Sequence, residues 1–267
     1  MFTKIGLIGC GTMGSTVARL IAANAPTASY YLANRSPEKA EALAKALPGS
    51  TVCGNTEAAA ACDLLVLGVK PQIMPSVMAE IAPVLKARKD RFVLVTMAAG
   101  ISCAQLREMA SLSCPVIRIM PNTPVNIGRG VIEYCGLDTS REELAAFAAL
   151  LQGCGTADEV EERLMDAAMA LSGCGPAFAY LFIEALADGA VACGLPRAKA
   201  LAYAAQTVEG AAALVKASGK HPGELKDAVC SPGGTTIEGV RVLEEGAFRG
   251  TAMDAVIAAY EKSLELK

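Results

Sequence analysis

Lys4-Ile5-Gly6-Leu7-Ile8-Gly9-Cys10-Gly11-Thr12-Met13-Gly14 decides the fold. An apolar run over 4–8 passes directly into Gly9-x-Gly11-x-x-Gly14, and an apolar segment of helical spacing follows over 12–24. The glycine pattern alone is weak, but in the order strand, turn, helix it marks a dinucleotide-binding unit. Gly9 allows a tight turn, Gly11 lets backbone approach a pyrophosphate, and Gly14 lets the helix pack closely on the strand. The helix start, with Cys10, Thr12 and Met13, adds unpaired N–H groups and the positive end of a dipole. A tight strand–helix turn without a ligand is the alternative reading of the same residues.

Working outward, strand-like runs recur at 29–33, 64–69, 92–97 and 116–120, with a short one at 51–52. Helical stretches at 38–47, 74–85 and 103–110 alternate with them. That alternation predicts parallel βαβ units and hence an α/β, doubly wound parallel sheet. A strand–helix–strand piece over 131–134, 142–151 and 156–160 closes this domain, expected to span 1–162. Beyond it, 163–171, 177–193, 197–217, 236–245 and 251–266 read as helices, giving an all-helical second domain over 163–267. The segment 177–193 is apolar almost all round, so an obligate helical interface between subunits is expected.

The 267 residues carry 24 Lys and Arg against 27 Asp and Glu, a net charge of −3. With 53% hydrophobic residues the chain can bury enough surface to offset its ordering entropy, which excludes general disorder. No basic run is present to neutralise a phosphate backbone, so no nucleic-acid partner is expected. His221 is the single histidine and the ten cysteines contain no Cys-x-x-Cys, so no metal is expected. The cysteines sit among apolar neighbours, as buried thiols in a reducing compartment would. Met1-Phe2-Thr3-Lys4 leads into a strand without a signal region, and a cytoplasmic location is expected. The uncharged stretch 167–183 is interrupted by Gly173-Cys174-Gly175-Pro176, so no membrane span is expected.

The second strand ends in Asn34-Arg35-Ser36, where an NAD-specific fold would place a carboxylate on the ribose hydroxyls. Asn34 is neutral and Arg35 offers a phosphate-binding fork, which points to NADP(H) with NAD(H) as a weaker substitute. Ser36-Pro37 also reads as an N-cap followed by Pro at the first helical position. Asn55, then Val69, Lys70 and Pro71, then Ala98, Ala99 and Gly100 fall after strands, on the edge that faces a ligand crevice.

In the helical half, Ser231-Pro232-Gly233-Gly234-Thr235-Thr236-Ile237-Glu238 is informative. Two glycines before a helix make a turn whose N–H groups suit a small carboxylate. Thr235 and Glu238 have capping-box spacing, which leaves the Thr236 hydroxyl free to contact a reacting group. Between Leu164 and Pro196 there is no Lys, His or Asn to move an alcohol proton, as hydroxy-acid dehydrogenases of this plan require. Such a group is worth roughly 100- to 10,000-fold in rate. A cyclic imine is basic enough to take its proton from solvent, and positioning alone supplies roughly 7–11 kcal/mol. The sequence therefore favours imine reduction.

These residues carry a resemblance. Gly9 to Gly14, Asn34-Arg35-Ser36, Val69-Lys70-Pro71, Met120-Pro121-Asn122-Thr123-Pro124, Ser172 to Phe178, and His221-Pro222 followed by Ser231 to Thr236 resemble the pyrroline-5-carboxylate reductases nearly end to end. The resemblance implies a Rossmann-type NADP(H) domain, a helical dimerisation domain, and NADPH-dependent reduction of L-1-pyrroline-5-carboxylate to L-proline. It implies a homodimer, with further assembly of dimers, whose active site lies at the interface. The substrate carboxylate would sit on the N–H groups of Gly234, Thr235 and Thr236 beside Gly233, with the Thr236 hydroxyl near the ring nitrogen. Asn55, Val69 to Pro71 and Ala98 to Gly100 would touch the cofactor, and Asn122 and Thr123 would lie by the nicotinamide. The family usually reads Ser-Gly-Ser-Gly-Pro where this chain has Cys174 at the second Ser, and a thiol is a weaker donor to substrate. His221, before Pro222, is expected to cap a helix. The alternatives are a reductase of another small cyclic imino acid and a non-catalytic NADP-binding regulator.

Overall fold

Strands that are apolar at every position must be covered on both faces, and the middle of the sheet here is built that way. The computed structural model describes residues 2–265. Its strands are β1 (Lys4–Ile8), β2 (Ser29–Ala33), β3 (Ser50–Val52), β4 (Leu64–Leu67), β5 (Val93–Thr96), β6 (Val116–Pro121), β7 (Gly130–Leu137) and β8 (Gly155–Glu159). They form one sheet in the order β3-β2-β1-β4-β5-β6-β7-β8. Along β4, Leu64 and Val66 enter one core with Ile5, Leu7 and Val17, while Leu65 and Leu67 enter a second with Met78 and Ile81. β1 pairs in parallel with both β2 and β4, so the strand order reverses beside it.

The helices are α1 (Thr12–Asn24), α2 (Pro37–Ala44), α3 (Asn55–Ala61), α4 (Met74–Ala87), α5 (Cys103–Ala110), α6 (Arg141–Leu150), α7 (Met165–Ser172), α8 (Gly175–Ala192), α9 (Arg197–Ser218), α10 (Pro222–Val229), α11 (Thr235–Glu245) and α12 (Phe248–Leu264). Helix α3 was not expected; Asn55 is its first residue rather than a loop residue.

The sheet departs from the expected all-parallel form at one pair. β7 runs antiparallel to β6, with Arg118 opposite Cys135 and Met120 opposite Glu133. Only residues 122–129 connect them, including a single 3-10 turn, Thr123–Ile127, and a parallel crossover needs a dozen residues or more.

By contacts the chain divides into two compact units. One holds the described residues up to Gly173 together with those from Tyr260 onward, and the other is Cys174–Ala259. In the first unit a buried ion pair ties β6 to α7. Arg118 Nη2 lies 2.8 Å from Asp166 Oδ1, with the two side chains 2% and 4% exposed. The second unit is helical, and in it α8 and α9 meet over the small buried residues Ala187, Ala200 and Ala204. Its larger apolar side chains, Tyr180, Leu181, Tyr203, Leu214, Val229 and Met253 among them, are exposed.

The expected break falls at 173–174, where α7 ends at Ser172 and α8 begins at Gly175, although Gly173 and Cys174 keep right-handed helical backbone. The stretch Glu162–Ala192 is long and apolar enough to cross a membrane by length and composition alone, and 6% of its apolar window is buried within the single chain. Of the cysteines, Cys10, Cys62, Cys103, Cys114, Cys135 and Cys154 are buried as expected, but Cys193 is exposed and the others are half-buried.

Removing one partner of a buried ion pair strands the other charge. Asp166→Ala should therefore lower the unfolding free energy by about 3–5 kcal/mol. Urea denaturation measures this, and a loss below about 1 kcal/mol would show that the pair does not hold α7.

Candidate functional site

Three glycines make the β1–α1 turn possible. Gly9 has φ +106°, a conformation that L side chains rarely adopt. A Cβ on Gly14 would lie 2.2 Å from the Gly9 carbonyl oxygen, and one on Gly68 would lie 2.7 Å from the same atom. The start of α1 is thus pressed onto the ends of β1 and β4. Gly11, the N-cap of α1, differs: a Cβ there would meet nothing within 4 Å. Its lack of a side chain keeps open a cradle in front of the helix, whose first-turn amides have no acceptor inside it.

Asn34 fastens this turn to β2. Its Oδ1 accepts the Cys10 N–H at 2.9 Å and its Nδ2 donates to the Ser36 carbonyl at 2.9 Å. The side chain is engaged by its own protein, which makes it a brace for the loop. Cys10 lies buried beneath the turn, and burial pushes its thiol up to about 11, so it stays protonated filler at neutral pH.

A cavity of about 230 Å³ opens over these elements, lined by Gly9, Gly11, Asn34, Arg35, Ser36, Lys39, Asn55, Gly68, Val69 and Lys70 together with apolar Ile8, Ile73 and Val77. Eight expected residues thus come together. Lys39 and Gly68 were missed; the signals were a Lys one helical turn beyond Arg35 and a glycine ending an apolar strand. No acid lines the cavity. Arg35 and Lys39 are exposed and, among the described residues, neither is in an ion pair. Asn55 Nδ2 donates to Glu80 at 2.7 Å. Ser36 stands at the N-cap of α2 before Pro37, as expected, but its hydroxyl makes no cap bond.

The other expected cofactor residues do not line this cavity. Thr12 and Met13 form the first turn of α1 with Gly14, Pro71 opens a 3-10 turn, and Ala98, Ala99 and Gly100 follow β5. All stand on the carboxyl edge of the sheet.

Asn122, just after β6, is 7% exposed and both ends of its amide are engaged by backbone. Oδ1 accepts Val131 N–H and Nδ2 donates to the Ser172 carbonyl, each at 2.9 Å. Its side chain therefore clamps β7 and the end of α7, while Thr123 beside it is exposed.

In the second unit the Ser231 to Thr236 turn corrects the capping-box reading. Gly233 has φ +68°, and Gly234 N–H closes the turn on the Ser231 carbonyl at 3.0 Å. Gly234 is thereby the N-cap of α11, Thr235 is its first helical residue, and neither threonine hydroxyl caps. Glu238 bonds Arg241 at 3.0 Å instead of reaching back. The Gly234 amide is spent in the turn, and helix geometry leaves the exposed amides of Thr235 and Thr236 facing outward without helical acceptors. Cys174 is the half-buried N-cap residue of α8. His221 caps α10 as expected, its Nδ1 accepting Gly223 N–H at 3.1 Å.

Residues 162–266 match the family model for pyrroline-5-carboxylate reductase dimerisation, and residues 4–100 match that for NADP oxidoreductases, coenzyme F420-dependent. The pyrroline-5-carboxylate reductase of Pisum sativum is 41% identical over 265 residues, 98% of this chain and 95% of that protein. That of Escherichia coli K12 is 40% identical over 270 residues, 100% of this chain and 99% of its own. The crystal structure of the Plasmodium falciparum pyrroline carboxylate reductase with NADP bound superposes with a TM-score of 0.82 at 34% identity, covering 99% of this chain and 98% of that one.

The two glycine roles are separable. Gly14→Ala should destabilise the fold, because its Cβ meets backbone. Gly11→Ala should leave the melting temperature unchanged while weakening dinucleotide binding by tenfold or more, about 1.4 kcal/mol. Calorimetric titration beside thermal melts checks this; unchanged affinity in Gly11→Ala would remove the cradle from the binding site.

Proposed function

The chain belongs to the pyrroline-5-carboxylate reductase family, and on that premise we infer that it reduces L-1-pyrroline-5-carboxylate to L-proline with NADPH. The observation that carries this reading is the family match over the full length of the chain, joined to a glycine cradle lined by Arg35, Lys39 and Lys70.

The cradle fits a dinucleotide phosphate: open space before Gly11, outward amides at the start of α1, and Arg35 and Lys39 with no acid among them. Arg35 and Lys39 would hold the 2′-phosphate, Lys70 would add positive charge to the same cavity, and Asn34 keeps the turn in register. Bound there, NADPH supplies the hydride that goes to the imine carbon. The amides of Thr235 and Thr236 hold the substrate carboxylate at the start of α11, where the helix dipole favours an anion. The Thr236 hydroxyl, free of capping, orients the ring nitrogen, which takes its proton from solvent. Asn122 acts by fixing the end of α7, and Cys174 makes at most a weak polar contact.

The chain carries the family's dimerisation region and forms a homo-oligomer. We place the contact of a homodimer on the exposed apolar faces of α8 and α9, which also gives the apolar stretch 162–192 a protein partner in place of a membrane. Ten free thiols, most of them wholly or partly buried, suit a reducing compartment, the cytoplasm.

Two substitutions test the assignments. Arg35→Ala should raise KM for NADPH roughly 10- to 100-fold, the worth of a charge-assisted contact, and leave KM for NADH nearly unchanged; equal effects on both would refute the phosphate role. Thr236→Ala should lower kcat roughly tenfold, as loss of one hydrogen bond stronger in the transition state requires, at unchanged NADPH affinity. Wild-type turnover in that variant would remove Thr236 from the mechanism.

A further inference from the structure

Cys103, Cys135 and Glu162 are far apart in the sequence, yet the fold brings their ligand atoms within 4.8 Å of one another. Cys103 is the first residue of α5, Cys135 lies on β7, and Glu162 opens the 3-10 turn before α7. We propose that these three side chains form a binding site for one thiophilic divalent cation of the zinc type. None of them lines the dinucleotide cavity, and nothing in the reductase reading uses them.

The donor set and its setting fit such an ion. Zinc takes thiolate sulfur at about 2.3 Å and carboxylate oxygen at about 2.0–2.2 Å in a tetrahedron, which puts neighbouring donors about 3.5–3.8 Å apart. The trio reaches that spacing by closing in about 1 Å or less. Both sulfurs are buried, at 0% and 5% exposure, whereas the Glu162 side chain is 34% exposed. The carboxylate is already aimed, since Glu162 Oε1 accepts the Cys103 N–H at 2.6 Å. Such a bond to a ligating oxygen is the outer support that metal sites rely on. A solvent-facing cavity of about 400 Å³, lined by Cys135, Arg141, Glu159 and Glu162 among others, gives an entry path and room for water as the fourth ligand.

A dication with two thiolates and one carboxylate carries net −1, and the buried Arg118 guanidinium, which also pairs with Asp166, stands 3.9 Å from Glu162 on the side of that charge. Arg118 Nε is buried with no hydrogen-bond partner among the described residues, a donor left over for an anionic centre. Binding to two thiols and a carboxylate releases two protons, so affinity rises with pH. The occupied site would pin α5 and β7 to the turn that leads into α7.

The test uses the full-length enzyme, treated with chelator and kept in a phosphine reductant, and Co(II) as the probe. The proposal expects one equivalent to give thiolate-to-cobalt charge-transfer absorption with visible bands of a tetrahedral ion, displaced by zinc. Cys103→Ser and Cys135→Ser should each abolish that absorption, Glu162→Gln should weaken binding about 10- to 100-fold or more, and Cys154→Ser should change nothing. Should either serine variant fail to fold, the wild type decides: bound zinc must spare Cys103 and Cys135 together from alkylation read by peptide mass spectrometry. Absence of the thiolate band, its survival in both cysteine variants, or alkylation of these two thiols despite bound metal would overturn the proposal. So would a Cys103–Cys135 disulfide in protein isolated without reductant that, once reduced, binds no cobalt.

Discussion

Everything at the nucleotide end depends on one close approach, that of the Gly14 backbone to the carbonyl of Gly9, with Gly68 against the same oxygen. A methyl group at Gly14 or Gly68 would collide there, and the helix could not start where it does. Because it starts there, its free amides and dipole face the crevice where the strand order reverses between β1 and β4. Asn34 then locks the turn to β2, and that lock sets Arg35 and Lys39 beside the cradle. Steric permission comes first, and the anion binding and cofactor choice we propose would follow from the same contact.

The helical half works by a different logic. Within one chain α8 and α9 bury only small residues against each other and leave their large apolar side chains outside. The chain carries the family's dimerisation region, and the cover we propose for these faces is a second copy. The chemistry tolerates a sparse catalytic set for a related reason. A protonatable C=N bond asks for orientation more than for an acid, and in the mechanism we propose the amides of Thr235 and Thr236 with one hydroxyl would provide that orientation.

Much of this was legible in the sequence. Strand β1, strand β2, helix α1 and helix α5 fall on the residues that periodicity and glycine placement indicate. Local pattern carries no direction, however, so the reversal of β7 had to come from the length of its connection to β6. Helix α3 escaped because a short Ala-rich segment opening with Asn-Thr-Glu has little period to read. At the site, residue types were readable but their engagements were not. Asn34 and Asn122 look like ligand contacts in sequence, and only the fold reveals that each amide bonds backbone at both its oxygen and its nitrogen. The Thr235 and Glu238 spacing suggested a cap that the Gly234 turn pre-empts. The meeting of Cys103, Cys135 and Glu162 is a tertiary fact that no spacing rule could show.

The account's central claim is a hydride passed from NADPH to a five-membered cyclic imino acid. Following the absorbance of the reduced nicotinamide while L-1-pyrroline-5-carboxylate is added, with L-proline quantified at the end, tests it most directly. The account predicts one proline formed per NADPH consumed, a slower reaction with NADH, and lower kcat/KM for the six-membered ring analogue. No oxidation of either nicotinamide with any cyclic imino acid, by a folded oligomer that binds NADPH, would contradict it.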